Sequence, residues 1–310
     1  MRALLVLLLV AATITAARRV VDGHVHLTNT SLLRYTWQKS LPELDRTWTV
    51  GALAAAAAGS GLEPSDVVFI EVSAVAEDWD KEITYIQGLA DRLVQHPSVP
   101  QIKGIVGHVA LQAEGVGAKL DGIMASAPLF RGVRQGESAG FLNSSDFVRG
   151  VCALGERGLV FDVLCGPADF PQVAALARAC PKTRLILDHM GSPAISDGRA
   201  GYDAWAPGLE VLAALGNVFV KVSGAPGEAA RGVRGNWTAD EVAPFVEHSV
   251  RAFGYERAFF AGNWFFLDLA GTYTTWAAAV TQILSGMGPD PTELDSFFST
   301  AVGTAYGLPR

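Results

Sequence analysis

Basic residues are outnumbered in this chain and form no long run. Its 24 Lys and Arg stand against 31 Asp and Glu, for a formal net charge of −7. Nucleic acid recruits basic patches, so the composition argues against a nucleic-acid partner. Cysteine is nearly absent too. Cys152, Cys165 and Cys180 form no Cys-x-x-Cys pair, and their odd number gives no disulfide framework. Each is read as a small buried hydrophobe. No Gly-x-Gly-x-x-Gly follows the first apolar run, which counts against a dinucleotide-binding fold. Internal repeats and low-complexity linkers are missing, so the 310 residues are read as one domain behind a short leader. Long hydrophobic runs are missing as well. The apolar stretch Leu4 to Ala12 is too short to span a bilayer.

That stretch reads instead as a secretory signal. Arg2 precedes it, and Thr15-Ala16-Ala17 offers small residues for cleavage, which makes residues 1–17 a leader and 18–310 the folded domain. Asparagine supports the same reading. The chain has only five, and three of them, Asn29, Asn143 and Asn236, begin an Asn-x-Ser/Thr sequon. Chance would supply about half a sequon at this Ser and Thr content. All three fall in predicted loops, so a secreted glycoprotein is expected, with a cytoplasmic location as the alternative.

What the chain does have is apolar runs alternating with helical stretches. Strands are predicted at Val20–Leu27, Asp66–Ala74, Ile102–Leu111, Phe130–Gln135, Leu159–Cys165, Arg184–Gly191, Val218–Gly224 and Arg257–Phe266. Continuous apolar strands suit a parallel sheet covered on both faces. Gly51–Gly61 is alanine-rich and helical, and Phe170–Cys180 forms a helix that stops before Pro181. Thr238 and Glu241 make a capping box, and Asp290-Pro291-Thr292-Glu293 opens the last helix. Eight strands with helices between them predict an α/β fold, a single-domain (β/α)8 TIM barrel. An open doubly wound sheet is the alternative.

The polar residues of interest gather at the strand ends. In Asp22-Gly23-His24-Val25-His26-Leu27, the two histidines are two apart on a strand and share a face. Such a pair is half of a divalent-metal site. Arg134 ends the fourth strand, His189 the sixth, Lys221 and Ser223 lie near the end of the seventh, and Asn263 lies on the eighth. Barrel chemistry sits at that face. Arg134 reads as a bidentate grip on a substrate carboxylate or as an internal salt bridge, and Lys221 has the same two readings. Glu71 is expected to be exposed unless it points inward. His96 and His248 are read as structural, and His108 is ambiguous.

These residues carry a resemblance. The chain resembles the amidohydrolase superfamily, in the branch of metal-dependent TIM-barrel hydrolases that includes sugar lactonases and the pyrone dicarboxylate lactonase. The opening motif is Asp22-Gly23-His24-Val25-His26-Leu27, followed by Tyr35-Thr36-Trp37. Gly132-Val133-Arg134, Asp188-His189-Met190-Gly191-Ser192-Pro193, Lys221-Val222-Ser223-Gly224 and a C-terminal Ala305-Tyr306-Gly307-Leu308 follow in order. The resemblance implies a hydrolase that opens a lactone or related cyclic ester of a small polar acid. It implies zinc on His24, His26 and His189, with Asn263, His189 and Arg134 catalytic and Arg134, Lys221 and Trp264 contacting substrate. A metal-free site, in which the histidines orient the carbonyl, stays open.

Two residues depart from the pattern. The branch commonly has Asp where this chain has Asn263, and often His where it has Gln135. An amide takes up no proton near neutral pH. The readings are therefore three: a lactone hydrolase, a decarboxylase on the same barrel, and a non-catalytic binding descendant. The partner expected in each is a small molecule, and oligomeric state is not legible.

Overall fold

The computed structural model describes residues 17–135 and 142–309. Most of the expected leader lies outside them. Eight strands form one parallel sheet in sequence order: β1 (Arg18–Val25), β2 (Leu62–Ile70), β3 (Gln101–Gly107), β4 (Phe130–Arg134), β5 (Val160–Val163), β6 (Arg184–Leu187), β7 (Val218–Val222) and β8 (Ala258–Phe260). The ladder from β8 back to β1 is short. A parallel bridge joins Val25 to Trp264, and His26 donates its backbone N–H to Trp264 O at 2.7 Å. The expected eight-stranded barrel is the observed one. Each observed strand overlaps its prediction, and every one ends earlier at its C-terminal side.

Helices fill the crossovers: α1 (Val50–Ala57), α2 (Trp79–Leu93), α3 (Val116–Ser126), α4 (Ser145–Gly155), α5 (Phe170–Ala179), α6 (Arg199–Ala213), α7 (Ala225–Ala229), α8 (Ala239–Phe253), α9 (Tyr273–Met287), α10 (Pro291–Asp295) and α11 (Ala301–Tyr306). The capping boxes of Thr238 and Asp290 form as read from the sequence. The crossover after β7 contains the short helix α7. None of the described helices is long and apolar enough to cross a membrane.

Two apolar layers hold the fold. The larger lies between the sheet and the helices, and the smaller lies inside the barrel. Val68, Val106, Val160, Ile186 and Phe259 fill the inner layer, and Tyr306 of α11 packs into it. Tyr306 also donates to Asp162 Oδ2 at 2.8 Å. The C-terminal helix thus plugs the end of the barrel away from the strand C-termini, where the site lies.

The cysteine expectation is corrected here. Cys152 and Cys180 are joined in a disulfide, with Cα atoms 4.7 Å apart. They stand at the C-terminal ends of α4 and α5, and the packing of those helices brings them together. Cys165 is the free cysteine and is buried, as expected.

Candidate active site

The site is built from β1 outward. Alternation puts Asp22, His24 and His26 on one face of the strand. Asp22 Oδ1 accepts from His24 N at 3.0 Å and from Gly262 N at 2.8 Å, and Oδ2 accepts from the Tyr273 hydroxyl at 3.0 Å. Burial pushes its carboxyl up to about 6, against those three hydrogen bonds.

His26 Nδ1 lies 2.9 Å from Ile70 O. A carbonyl only accepts, so the ring carries its proton there and turns an unprotonated Nε2 inward. That nitrogen is 2.9 Å from His24 Nε2. On its other side, His24 Nδ1 accepts from Lys221 Nζ at 3.0 Å. Burial, with Lys221 beside His24 and Arg134 beside His26, keeps both imidazoles well below the usual histidine range. They are neutral, as metal ligands must be.

His189 completes the group. It stands just beyond β6 in a left-handed turn, with φ 54° at His189 and 57° at Met190. Non-glycine residues reach this region at a cost, and such residues concentrate at functional sites. The turn carries the ring back over the barrel, where its centroid is 4.7 Å from that of His24. Nδ1 is engaged with Ser223 Oγ at 2.8 Å, which leaves Nε2 for a ligand. Gly224 makes room for the ring, since a Cβ there would lie 2.7 Å from His189 Cβ. Burial lowers the imidazole to about 4.

Beneath the histidines lies a buried ionic network. Lys221 pairs with Asp162 at 2.5 Å and Asp188 at 2.7 Å. Arg134 donates from Nε to Glu71 Oε1 at 2.8 Å and approaches Asp188 Oδ2 at 3.3 Å. Glu71 is 1% exposed, so the expectation of an exposed glutamate is corrected. Desolvation of so many charges is offset only because each is paired. Burial pushes Asp162 up to about 6, whereas Lys221 outweighs burial at Asp188 and holds it well below the carboxylate range. The sequence offered substrate binding or an internal salt bridge for both Arg134 and Lys221, and in the fold both guanidinium and ammonium are committed internally.

The remaining predicted residues divide. Asn263 is half-buried at φ 51°, and its Oδ1 is enclosed without a hydrogen-bond donor. Trp264, expected at the substrate, is 1% exposed and packs its edge on Trp48 in the core. The aromatic ring beside the histidines is Phe266, 5.0 Å from His26. Gln135 accepts from Leu111 N at 3.1 Å and serves the fold. His248 pairs with the Tyr202 hydroxyl, and His108 stacks on Trp79.

Among the described residues, His24, Asp188 and His189 form a group able to hold a metal, with ligand atoms within 4.8 Å of one another. Asp188 is the member that sequence reasoning missed, although it directly precedes His189. His26 stands next to the group through its contact with His24. The surroundings suit a divalent cation. Asp188 Oδ1 lacks an aligned hydrogen bond, and among the described residues the buried cations available to the four buried carboxyls Asp22, Glu71, Asp162 and Asp188 are Lys221 and Arg134. Zinc accepts this nitrogen and oxygen donor set.

Residues 21–307 match the family model described as Amidohydrolase. The chain belongs to the amidohydrolase family. It is an enzyme of the hydrolase class. An uncharacterized protein of Sinorhizobium fredii is 27% identical over 93% of this chain and 98% of its own length. An L-fucono-1,5-lactonase of Burkholderia ambifaria is 30% identical over 61% of this chain and 66% of that lactonase. A crystal structure of an amidohydrolase from Burkholderia multivorans with zinc bound superposes with a TM-score of 0.78 at 24% identity, covering 94% of this chain and 100% of that one.

Proposed function

We propose that this enzyme opens a lactone or related cyclic ester of a small polar acid at the His24, His26, Asp188 and His189 cluster. The observation that carries the reading is the convergence of His24 and His189, from β1 and the turn after β6, on the buried Asp188 carboxylate, with His26 against His24. The similarity to L-fucono-1,5-lactonases supports the ester class.

Water adds to the ring carbonyl, the ring C–O bond breaks, and a hydroxy acid leaves. A divalent cation on His24, Asp188 and His189 would supply Lewis-acid polarisation of the carbonyl and a more acidic water. The chain's own groups do the rest. Lys221 and Arg134 hold Asp188 between them and keep it ionised. Asp22 and the Ile70 carbonyl set the orientation of His24 and His26. Asn263 takes no proton. Neutral His189 turns Nε2 to the half-exposed side of the cluster. Pure enzyme assayed on a panel of lactones should release one proton per ring opened and bind about one zinc or manganese by elemental analysis. Turnover of no lactone by metal-loaded enzyme would overturn the reading.

We infer also that the chain matures in an oxidising, glycosylating compartment. The Cys152–Cys180 disulfide and the exposed sequons at Asn143 and Asn236 support this.

A further inference from the structure

Five rings stand in an unbroken row through the site, open at its two ends. His189 is 4.7 Å from His24, His24 is 4.7 Å from His26, His26 is 5.0 Å from Phe266, and Phe266 is 5.1 Å from Trp37. The chemistry of the row changes along its length. Its first three members carry ring nitrogens, and its last two present hydrocarbon. His189, Phe266 and Trp37 keep part of their surface open, whereas His24 and His26 are covered.

The apolar end is rigid. Trp37 lies stacked on Phe266 at 25° and parallel to Phe265 at 9°. Phe265 in turn stacks on Trp48 at 4.7 Å and 7°, and the Arg46 guanidinium covers Trp48 at 3.8 Å. The Trp37 indole N–H donates to Val72 O at 2.8 Å, which fixes the plane of its ring. Both cations in contact with the histidine cluster are spent on carboxylates, Lys221 on Asp162 and Asp188, and Arg134 on Glu71 and Asp188. Neither is left to receive a substrate anion.

We propose that Phe266 and Trp37 form the specificity wall of the site and select a neutral lactone with an apolar substituent or ring face, methyl or aryl, over one with a second carboxylate. The proposal rests on the hydrolase reading above. With its carbonyl at the histidines, a six-membered ring laid along the row brings its far edge over Phe266. A methyl group there displaces water from hydrocarbon, and a carboxylate there loses its hydration against hydrocarbon.

The test compares a δ-lactone bearing a methyl group beside the ring oxygen with the same lactone lacking it. One methyl in an apolar pocket is worth about tenfold in kcat/KM or more. Wild type should show that preference, and Phe266→Ala should erase most of it. Phe266→Leu, which keeps apolar volume and loses the ring, serves if the alanine variant does not fold, and should lower the preference without erasing it. No preference in wild type, an unchanged ratio in both variants, or faster turnover of a pyrone dicarboxylate would overturn the proposal. The matching δ-lactams resist hydrolysis and separate the two claims by isothermal titration. If no lactone turns over but the methyl lactam binds about tenfold tighter, the hydrolase reading fails and the wall stands. Equal binding of the two lactams sinks the wall whatever the turnover.

Discussion

The Asp22 carboxylate accepts the backbone N–H of Gly262 at 2.8 Å, and that bond fastens the first strand of the barrel to the segment following the last. The two positions depend on each other. A Cβ at Gly262 would lie 2.4 Å from Asp22 Oδ2 and 2.7 Å from the Tyr273 ring. Gly262→Ala is therefore expected to destabilise by about 1–3 kcal/mol through overpacking. Tilting Asp22 also disturbs the backbone of His24, so divalent binding should weaken in parallel. Urea denaturation checks the first claim. A stability loss under about 0.5 kcal/mol would show that the neighbours relax freely.

Stability should fall as pH rises toward mildly alkaline values. Glu82 on α2 is fully buried, neither of its oxygens has a hydrogen-bond partner, and burial with Glu71 nearby pushes its carboxyl from 4.5 up to about 8. Between those two values the folded state holds a proton that the unfolded chain has lost. At this site the unfolded state binds fewer protons, so the Glu82 contribution to unfolding free energy declines with pH across that window; below about pH 6.5 the depressed imidazoles of His24, His26 and His189 act in the opposite sense, so the net decline is expected above it. Asp22 and Asp162, both raised to about 6, add to the decline over a narrower range. Glu82→Gln keeps the shape and removes the titration. Its urea midpoint should vary less with pH than that of wild type, and the two proteins should differ most near pH 8. Parallel pH profiles would refute the assignment.

Asn263→Asp places a carboxylate where the amide oxygen is enclosed without a donor. The added charge is uncompensated without a cation and favourable beside one. The metal-free variant should melt below wild type, and zinc should raise its Tm by more than it raises that of wild type. Affinity for zinc should rise about tenfold or more, given a Coulomb term of several kcal/mol at close range. Calorimetric melting with and without zinc gives both quantities. An equal zinc response in the two proteins would place Asn263 outside the metal's reach.

Protein secreted from a eukaryotic host should carry glycan at Asn143 and Asn236 and none at Asn29. The Asn29 side chain donates to the Tyr85 hydroxyl at 3.3 Å and accepts from Ser31 N at 3.1 Å, so it is held half-buried beside the site. Peptide mapping after glycan removal distinguishes the three positions. The same protein should show one thiol after denaturation, from Cys165, and three after reduction. Replacing Cys152 and Cys180 with serine should cost about 3 kcal/mol for a 28-residue separation. Unmodified Asn143 and Asn236 with three free thiols would refute the secretory reading.

Several of these features were legible before any fold was drawn. Alternation along β1 put His24 and His26 on one face, because a strand has a period of two wherever it forms. Short apolar runs between helical stretches implied the barrel, since only a sheet covered on both faces consumes so many of them. Thr238 and Asp290 announced their helices because capping is decided within four residues.

The rest depended on what happens once the ladder ends. Beyond β6 and β8, His189, Met190, Ser192 and Asn263 adopt positive φ, so the two-residue period fails where the site begins. The family resemblance implies substrate contact for Trp264, whereas the turn after Asn263 sends Trp264 into the core and brings Phe266 to His26. Asp188 is an ordinary acidic residue in the sequence, and it becomes a candidate ligand only because Lys221, Arg134 and His24 converge on it from three other strands. Cys152 and Cys180 carry no spacing signal, and their Cα atoms come within 4.7 Å only through the packing of α4 and α5. Local chain geometry determines which residues share a face, but contacts among ionised, aromatic and sulfur groups distant in sequence are decided by how the strands and helices pack.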